Sequence, residues 1–277
     1  MLLPDAKSLA ANSRFAFSIV QFVSLATFPM RYLILTDIHA NLEALDSCLA
    51  DARSRGYDRT LVLGDVVGYG ADPNAVIERI QRLEPHAIVR GNHDKVSCGI
   101  EQADGFNSVA RGAARWTLDV LTPEHRNWLA ALPEGPNEVD DLLEICHGSP
   151  FDEDAYIFDE LDAARALKAT TRPLCLYGHT HYAAVFELLS EGSLDSASLT
   201  ESIQNRVAIV EGSKHLINPG SVGQPRDGDP RAAYAIVDEA TRQVELFRMN
   251  YPVAQAQAKI MKAGLPEVLA HRLALGR

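Results

Sequence analysis

Positive charge is in short supply in this chain of 277 residues: 26 lysines and arginines face 37 aspartates and glutamates, for a formal net charge of −11. Broad binding to a nucleic-acid backbone needs basic side chains gathered on one face, so that class is disfavoured. Cysteine is also sparse. Cys48, Cys98, Cys146 and Cys175 are scattered without any CxxC spacing, which argues against a disulfide framework or a zinc knuckle. Buried free thiols in a reducing, cytoplasmic compartment fit better, with Cys146 lining any site near His147 without ligating. No apolar run approaches the roughly 20 residues that span a bilayer, so no membrane partner is expected. A hydrophobic content of 47% excludes disorder as the main state.

Residues 1–29 stand apart from the rest. Lys7 and Arg14 precede the apolar "FAFSIVQFVSLATF", in the manner of a signal peptide. Asn12, Ser13, Ser18, Gln21 and Ser24 dilute that run, however, and no small-x-small cleavage site follows. Because Met30 opens a strand at once, we read 1–29 as an artefact of an early start or a loose appendage, ahead of a surface helix or an export signal. The expected organisation is one domain over 30–250, with a helical tail over 251–277 packed against it.

Short apolar runs then alternate with helical patterns. "RYLILT" stops at Asp37-Ile38-His39, "RTLVLGD" at Gly64-Asp65, and "HAIVRGNHD" at Asn92-His93-Asp94. Between them Leu42, Leu45 and Leu49 keep helical spacing, as do Val76, Ile77, Ile80 and Leu83 behind an Asp72 cap and Pro73. Strand, helix, strand implies a parallel sheet whose carboxyl ends carry the ligands. Further on, Ala110 to Leu118 and "TPEHRNWLAALP" read as helices, with Trp116 and Trp128 as core anchors and "PEGPNEVDD" as a solvated connection. "LLEICHGSP" and "PLCLYGHTH" are two more strands that end in histidines. Residues 151–171 carry Tyr156, Ile157, Leu161, Ala164 and Leu167 on a helical period, either as a flap over a substrate or as a solvated helix on the sheet edge. The second half, "YAAVFELL", "RVAIVEG", "KHLIN", "AAYAIVD" and "VELFRMN", reads as antiparallel strands around a polar, uninformative 190–205.

The polar residues at these strand ends are Asp37, His39, Asp65, Asn92, His93, His147, His179 and His181. Oxygen and imidazole donors suit Mn²⁺, Fe, Zn²⁺, Co²⁺ or Ni²⁺, whereas structural zinc usually brings thiolates. So many donors exceed one tetrahedral site and match two ions bridged by a carboxylate. Such a pair, about 3.5–4 Å apart, clamps a phosphoryl group in line. His86, His125, His215 and His271 are read as ordinary. Gly220, Ser221 and Gly223 form either a tight turn or a phosphate-facing loop.

Taken in order, "DIH", "GDVVGYG", "GNHD", "CHGSP" and "GHTH", with "INPGSVGQPRDGDPRAAYAIVD", resemble the calcineurin-like metallophosphoesterases, in particular their small bacterial and archaeal phosphodiesterase-like branch. The resemblance runs from residue 31 to about 249 and implies a four-layer α/β/β/α sandwich. By it, Asp37, His39, Asp65 and His181 hold one ion, Asp65, Asn92, His147 and His179 hold the other, and Asp65 bridges. His93 stabilises the phosphate and protonates the leaving oxygen, with an acidic partner to be sought at Asp94 or around Asp65. Asn41 and Arg226 are weaker candidates for substrate contact, Arg226 against the alternative of a surface ion pair. The implied activity is two-metal hydrolysis of a phosphodiester, including cyclic nucleotides, by direct attack of metal-activated water, with manganese the leading metal. The substrate partner is a small phosphate ester, and self-association is open. A phosphomonoesterase or dinucleoside-polyphosphate hydrolase is the nearest rival, and a non-catalytic scaffold on the same fold the more distant one.

Overall fold

The computed structural model describes residues 29–198 and 205–277; the reading of an N-terminal appendage concerns residues that, apart from residue 29, lie outside this set. The chain runs β1 (Arg31–Leu35), α1 (Leu42–Arg55), β2 (Arg59–Val62), α2 (Pro73–Leu83), β3 (Ala87–Ile88), α3 (Asn92–Cys98), α4 (Ser108–Val120), α5 (Pro123–Ala130), β4 (Asn137–Glu138) and β5 (Leu143–Ile145). It continues through α6 (Glu160–Ala169), β6 (Leu174–Leu176), β7 (Ala183–Leu188), β8 (Leu194–Ser198), β9 (Arg206–Ala208), β10 (Lys214–Pro219), β11 (Ala232–Asp238), β12 (Gln243–Met249), α7 (Val253–Lys262) and α8 (Glu267–Leu273). Among these residues no helix is long and apolar enough to cross a membrane.

Strand alternation explains why there are four layers. In β1, Leu33 and Leu35 face one core while Tyr32 and Ile34 face another, because successive side chains point to opposite faces. Tyr234 and Ile236 of β11 join the first core, and Ala235 and Val237 the second. In the other sheet Leu174 and Leu176 of β6 point to that same second core, whereas Cys175 lies in a third with Ala163, Ala166 and Leu167 of α6. Each sheet is therefore apolar on both faces, one turned to its partner and one to helices. The fold is the α/β/β/α sandwich: a sheet ordered β3-β2-β1-β11-β12-β9, another ordered β4-β5-β6-β10-β7-β8, α1 on the first and α6 on the second.

Both sheets are mixed. β1, β2 and β3 are parallel, with Leu33 beside Thr60 and Leu61 beside Ala87; β5, β6 and β10 are parallel in the second sheet. The antiparallel strands flank them, β11 against β1 and β7 against β10. The six parallel strands send their carboxyl ends to one end of the sandwich. Ala256, Ile260, Leu265, Leu269 and Leu273 of α7 and α8 belong to the first core, and α7 lies against α1.

Several local expectations need correction. Trp116 and Trp128 are only partly buried at the rim of the first core, whose deep positions on α4 belong to Ala110 and Ala113; close helix-to-helix approach favours small residues there. The helix expected over 151–171 is confined to α6. Its buried face is Ala163, Ala166 and Leu167, and Leu161 is 80% exposed. The expected connection at 133–141 contains β4 on β5, and the uninformative 190–205 contains β8 on β7. Asp72 makes no side-chain cap to α2 and accepts from Lys259 at 2.7 Å instead.

Candidate metal centre

Each ligand candidate sits one to a few residues beyond a parallel strand, and the backbone there is unusual. Asp37, His39, Asp65, His179 and His181 all have φ between 48° and 67°, a left-handed region that a non-glycine residue occupies at some cost. The chain reverses at each of them and turns the side chain inward. Asp65 is braced by its neighbours: His39 N donates to Asp65 O at 2.9 Å, and His93 N to Asp65 Oδ1 at 2.9 Å. Asp37 accepts the backbone N–H of His179 at 3.1 Å, which ties β1 of one sheet to β6 of the other. Ser221 donates to Asp37 O at 2.8 Å, so the turn after β10 supports the ligand loops instead of standing open.

The side chains converge as two groups. Donor atoms of Asp37, His39, Asp65 and His181 lie within 4.8 Å of one another, as do those of Asp65, His147 and His179; all are buried, and Asp65 belongs to both. His39 Nε2 is 3.4 Å from Asp65 Oδ2, His181 Nε2 is 3.2 Å from Asp37 Oδ1, and His147 Nε2 is 3.5 Å from Asp65 Oδ2. Asn92 joins the second group with Oδ1 at 3.4 Å from His147 Nε2.

Hydrogen bonds on the far side of each ring decide which nitrogen faces inward. His39 Nδ1 bonds Val67 O at 3.1 Å, His181 Nδ1 bonds Gln224 O at 2.6 Å, and His147 Nδ1 bonds Leu63 O at 2.7 Å. A carbonyl only accepts, so these rings carry the hydrogen on Nδ1 and turn Nε2 to the centre. His179 is reversed. Its Nε2 bonds Asp154 O at 3.1 Å, leaving Nδ1 for the centre. Carbonyl-oriented imidazoles, two carboxylates and a carboxamide, with no thiolate, form a donor set that fits divalent transition metals.

Charge in the cluster is unevenly held. Burial lifts Asp37 to about 7 against the opposing pull of His147. Burial also works against the Asp65 carboxylate, yet His147, His93 and His39 hold it well below the usual range. His147 is driven up to about 10 because Asp65 outweighs burial. Burial keeps His39 and His181 neutral, the latter helped by the charge of Arg226. His179 falls to about 3 through burial and the nearby His147.

His93 stands beside the cluster, not in it. Its ring lies 5.0 Å from that of His39, 4.2 Å from Tyr69 and 4.6 Å from Phe106, and its Nδ1 is buried without a partner. Burial lowers it to about 4. The acidic partner sought at Asp94 or around Asp65 does not reach this ring. Asp94 is spent on the backbone N–H groups of Val67 at 3.1 Å and Gly91 at 3.0 Å, and Asp65 takes the His93 N–H, not its imidazole. Asn41 caps α1 through Ala44 N and donates to Gly223 O at 2.8 Å, so both its polar atoms hold the loop. Arg226 makes no ion pair among the described residues; its guanidinium lies 3.4 Å from the Tyr69 hydroxyl and 3.2 Å from Gln224 Oε1. The Cys146 sulfur turns away from the site into the third core, 3.7 Å from that of Cys175, and all four cysteines are free and buried.

Sequence reasoning does not single out Tyr69, although it stands inside "GYG", and it places Tyr156 on a candidate flap without linking it to His179, on which its ring stacks at 3.9 Å. Asn218 was missed too: it donates to Gly178 O at 2.7 Å and Thr180 Oγ1 at 3.0 Å, and shapes the loop carrying both histidines. The "INPGS" string is the only signal that could have pointed to it.

Comparison with known proteins follows the same outline. Residues 30–242 match the model of the calcineurin-like phosphoesterase superfamily domain. An uncharacterized protein of Methanocaldococcus jannaschii is 39% identical over 249 residues, which is 88% of this chain and 97% of that one. The crystal structure of a metallophosphoesterase from Sphaerobacter thermophilus superposes with a TM-score of 0.78 at 39% identity, covering 90% of this chain and all of that one. A hypothetical protein from Pyrococcus horikoshii shares the fold with a TM-score of 0.71 at 21% identity, over 89% and 98% of the two chains.

Proposed function

The chain belongs to the calcineurin-like phosphoesterase superfamily and hydrolyses phosphate esters, and from that premise we propose that it cuts a phosphodiester at a pair of divalent metal ions. One observation carries the reading: two buried donor groups share Asp65. Asp37, His39, Asp65 and His181 would hold one ion, and Asp65, Asn92, His147 and His179 the other. When bound, such a pair supplies Lewis-acid polarisation of the phosphoryl oxygens and a more acidic shared water. The thiolate-free set suits Mn²⁺ first and also accommodates Fe, Zn²⁺, Ni²⁺ and Co²⁺.

The remaining work falls to the protein. His93, with an uncommitted buried Nδ1, donates a hydrogen bond to a phosphoryl oxygen. The negative charge of the bound phosphate raises the ring from the low value that burial gives it, so that it takes up a proton and passes it as an imidazolium to the departing alcohol. Arg226 gives the rim one fixed cation for a non-bridging oxygen. A single unpaired guanidinium matches the single negative charge of a diester better than the dianion of a monoester. Tyr69 packs against His39 at 4.7 Å and against His93, keeping both rings upright. Four free, buried cysteines suit a reducing cytoplasm.

Metal analysis joined to a substrate pair tests the proposal. The manganese-loaded protein is expected to hold two ions per chain and to show a higher kcat/KM on bis(4-nitrophenyl) phosphate than on 4-nitrophenyl phosphate. Preference for the monoester would make it a phosphomonoesterase. Two bound ions with no turnover on either ester would make it a binding protein on the same fold.

A further inference from the structure

A groove of about 780 Å³ opens beside the metal centre, between the start of α6, the histidine loop after β6, and β7 with β8. Phe158, Leu161, Tyr182 and Phe186 form its walls, together with Thr180, which stands between His179 and His181 in the sequence. Phe158 is 63% exposed and Leu161 80%, with Tyr182 half exposed next to them. Large apolar side chains left open together on an acidic protein mark a binding surface, and the volume lies in the range of small-molecule sites.

The charged groups of the groove are already committed. Asp159 caps α6 by accepting from Leu161 N and Asp162 N, and Glu160 accepts from the Ser196 hydroxyl. Among the described residues no lysine or arginine lines it, which disfavours an anion there. An uncharged apolar group fits. The groove is also joined to the chemistry: Phe158 stacks on Tyr156 at 5.1 Å and 12°, and Tyr156 on His179 at 3.9 Å and 19°. These parallel rings lead outward from a ligand histidine to the groove wall.

From this juxtaposition we infer that the groove seats a flat, apolar organic group esterified to the phosphate, so that the substrate is a phosphodiester carrying an aromatic or similarly planar substituent. The inference rests on the phosphodiesterase reading above. A phosphate held at the metal centre directs its substituent across Tyr156, and Phe158 with Tyr182 supplies the faces on which a planar group packs.

Non-hydrolysable phosphinates, which carry the single negative charge of a phosphodiester, separate binding from turnover. Calorimetry on the manganese-loaded full chain compares dimethylphosphinate with methyl(1-naphthylmethyl)phosphinate; the naphthyl compound is expected to bind about tenfold tighter or more. In a Phe158→Ser, Leu161→Ser variant, whose changed side chains are exposed, that advantage should vanish while dimethylphosphinate affinity and ion content stay as they were. Equal affinities in the parent protein, or an advantage that survives in the variant, would overturn the inference. So would sedimentation showing a dimer that the variant splits, since the groove would then be a subunit contact. If neither phosphinate binds to metal-loaded protein, the phosphodiesterase reading itself fails.

Discussion

His39 and His181 meet through their Nε2 atoms at 3.1 Å, while each has its Nδ1 hydrogen committed to a backbone carbonyl, of Val67 and Gln224 respectively. Two lone pairs at that distance repel unless a proton or a cation lies between them. Burial opposes an added proton on either ring, and a divalent ion resolves the contact.

Removing metal should therefore destabilise the fold. An ion present at a hundred times its Kd contributes about 2.7 kcal/mol by mass action. Chelation with EDTA is expected to lower Tm by several degrees, and added Mn²⁺ to restore it, in a thermal melt. An unchanged Tm would count against a loaded resting state.

Asp65→Asn keeps an oxygen for the His93 N–H but removes the charge both ion sites share. Ion content should drop below two per chain, and kcat/KM on bis(4-nitrophenyl) phosphate should fall by at least about 10²-fold. Far-UV circular dichroism should be unaltered. Full activity with one ion would refute a shared bridge.

In the metal-free protein His147, raised to about 10 by Asp65 against burial, keeps a proton that an unfolded histidine releases near pH 6.5. Native protein then binds more protons than unfolded, so stability falls as pH rises from about 7 toward 10, by up to about 1.4 kcal/mol per pH unit. Urea midpoints from pH 7 to about 7.8, where unfolded thiols are still mostly protonated, should show that slope. His147→Gln should flatten it, and so should bound metal, which holds the ring neutral.

Lys95 reaches the site through its neighbours. Its ammonium lies 2.9 Å from Glu153 and 2.6 Å from Asp154, and the Asp154 carbonyl orients His179. Lys95→Met should weaken the ion held by His147 and His179 by about 10- to 100-fold and leave the other ion nearly as tight. Stepwise metal titration resolves the two, and equal weakening would point to general loosening.

Gly68 has φ of +93°, and a Cβ there would come 2.6 Å from His93 Nδ1. Gly68→Ala should displace that ring and cost about 10²- to 10⁴-fold in kcat, as His93→Ala should, with two ions still bound. A larger penalty for alcohols of higher pKa in both variants would mark His93 as the proton donor.

Much of this was legible because the parallel strands are short apolar runs that stop at polar turns. Asp37, Asp65, Asn92, His147, His179 and His181 each follow such a stop, so sequence order alone placed them at one edge. Legibility failed where three-dimensional neighbours decide. Trp116 is large and apolar yet sits at the rim, since α4 packs by its alanines. Leu161 keeps helical spacing with Leu167 but begins a helix whose inward face is set by Ala163 and Ala166. Asp94 reads as a partner for His93, and only the fold reveals that two backbone N–H groups claim it first.

The cluster draws on both sheets: Asp37, His39, Asp65 and Asn92 follow strands of one, His147, His179 and His181 strands of the other. On the proposed assignment every ion takes ligands from each layer and acts as a cross-link over the seam of the sandwich. Loaded protein should then exchange its strand amides as one cooperative unit. Stripped protein loses those cross-links and keeps side-chain packing and hydrogen bonds such as Asp37–His179, His147–Leu63 and Ser221–Asp37 across that seam, so its two halves should open more readily and less in concert.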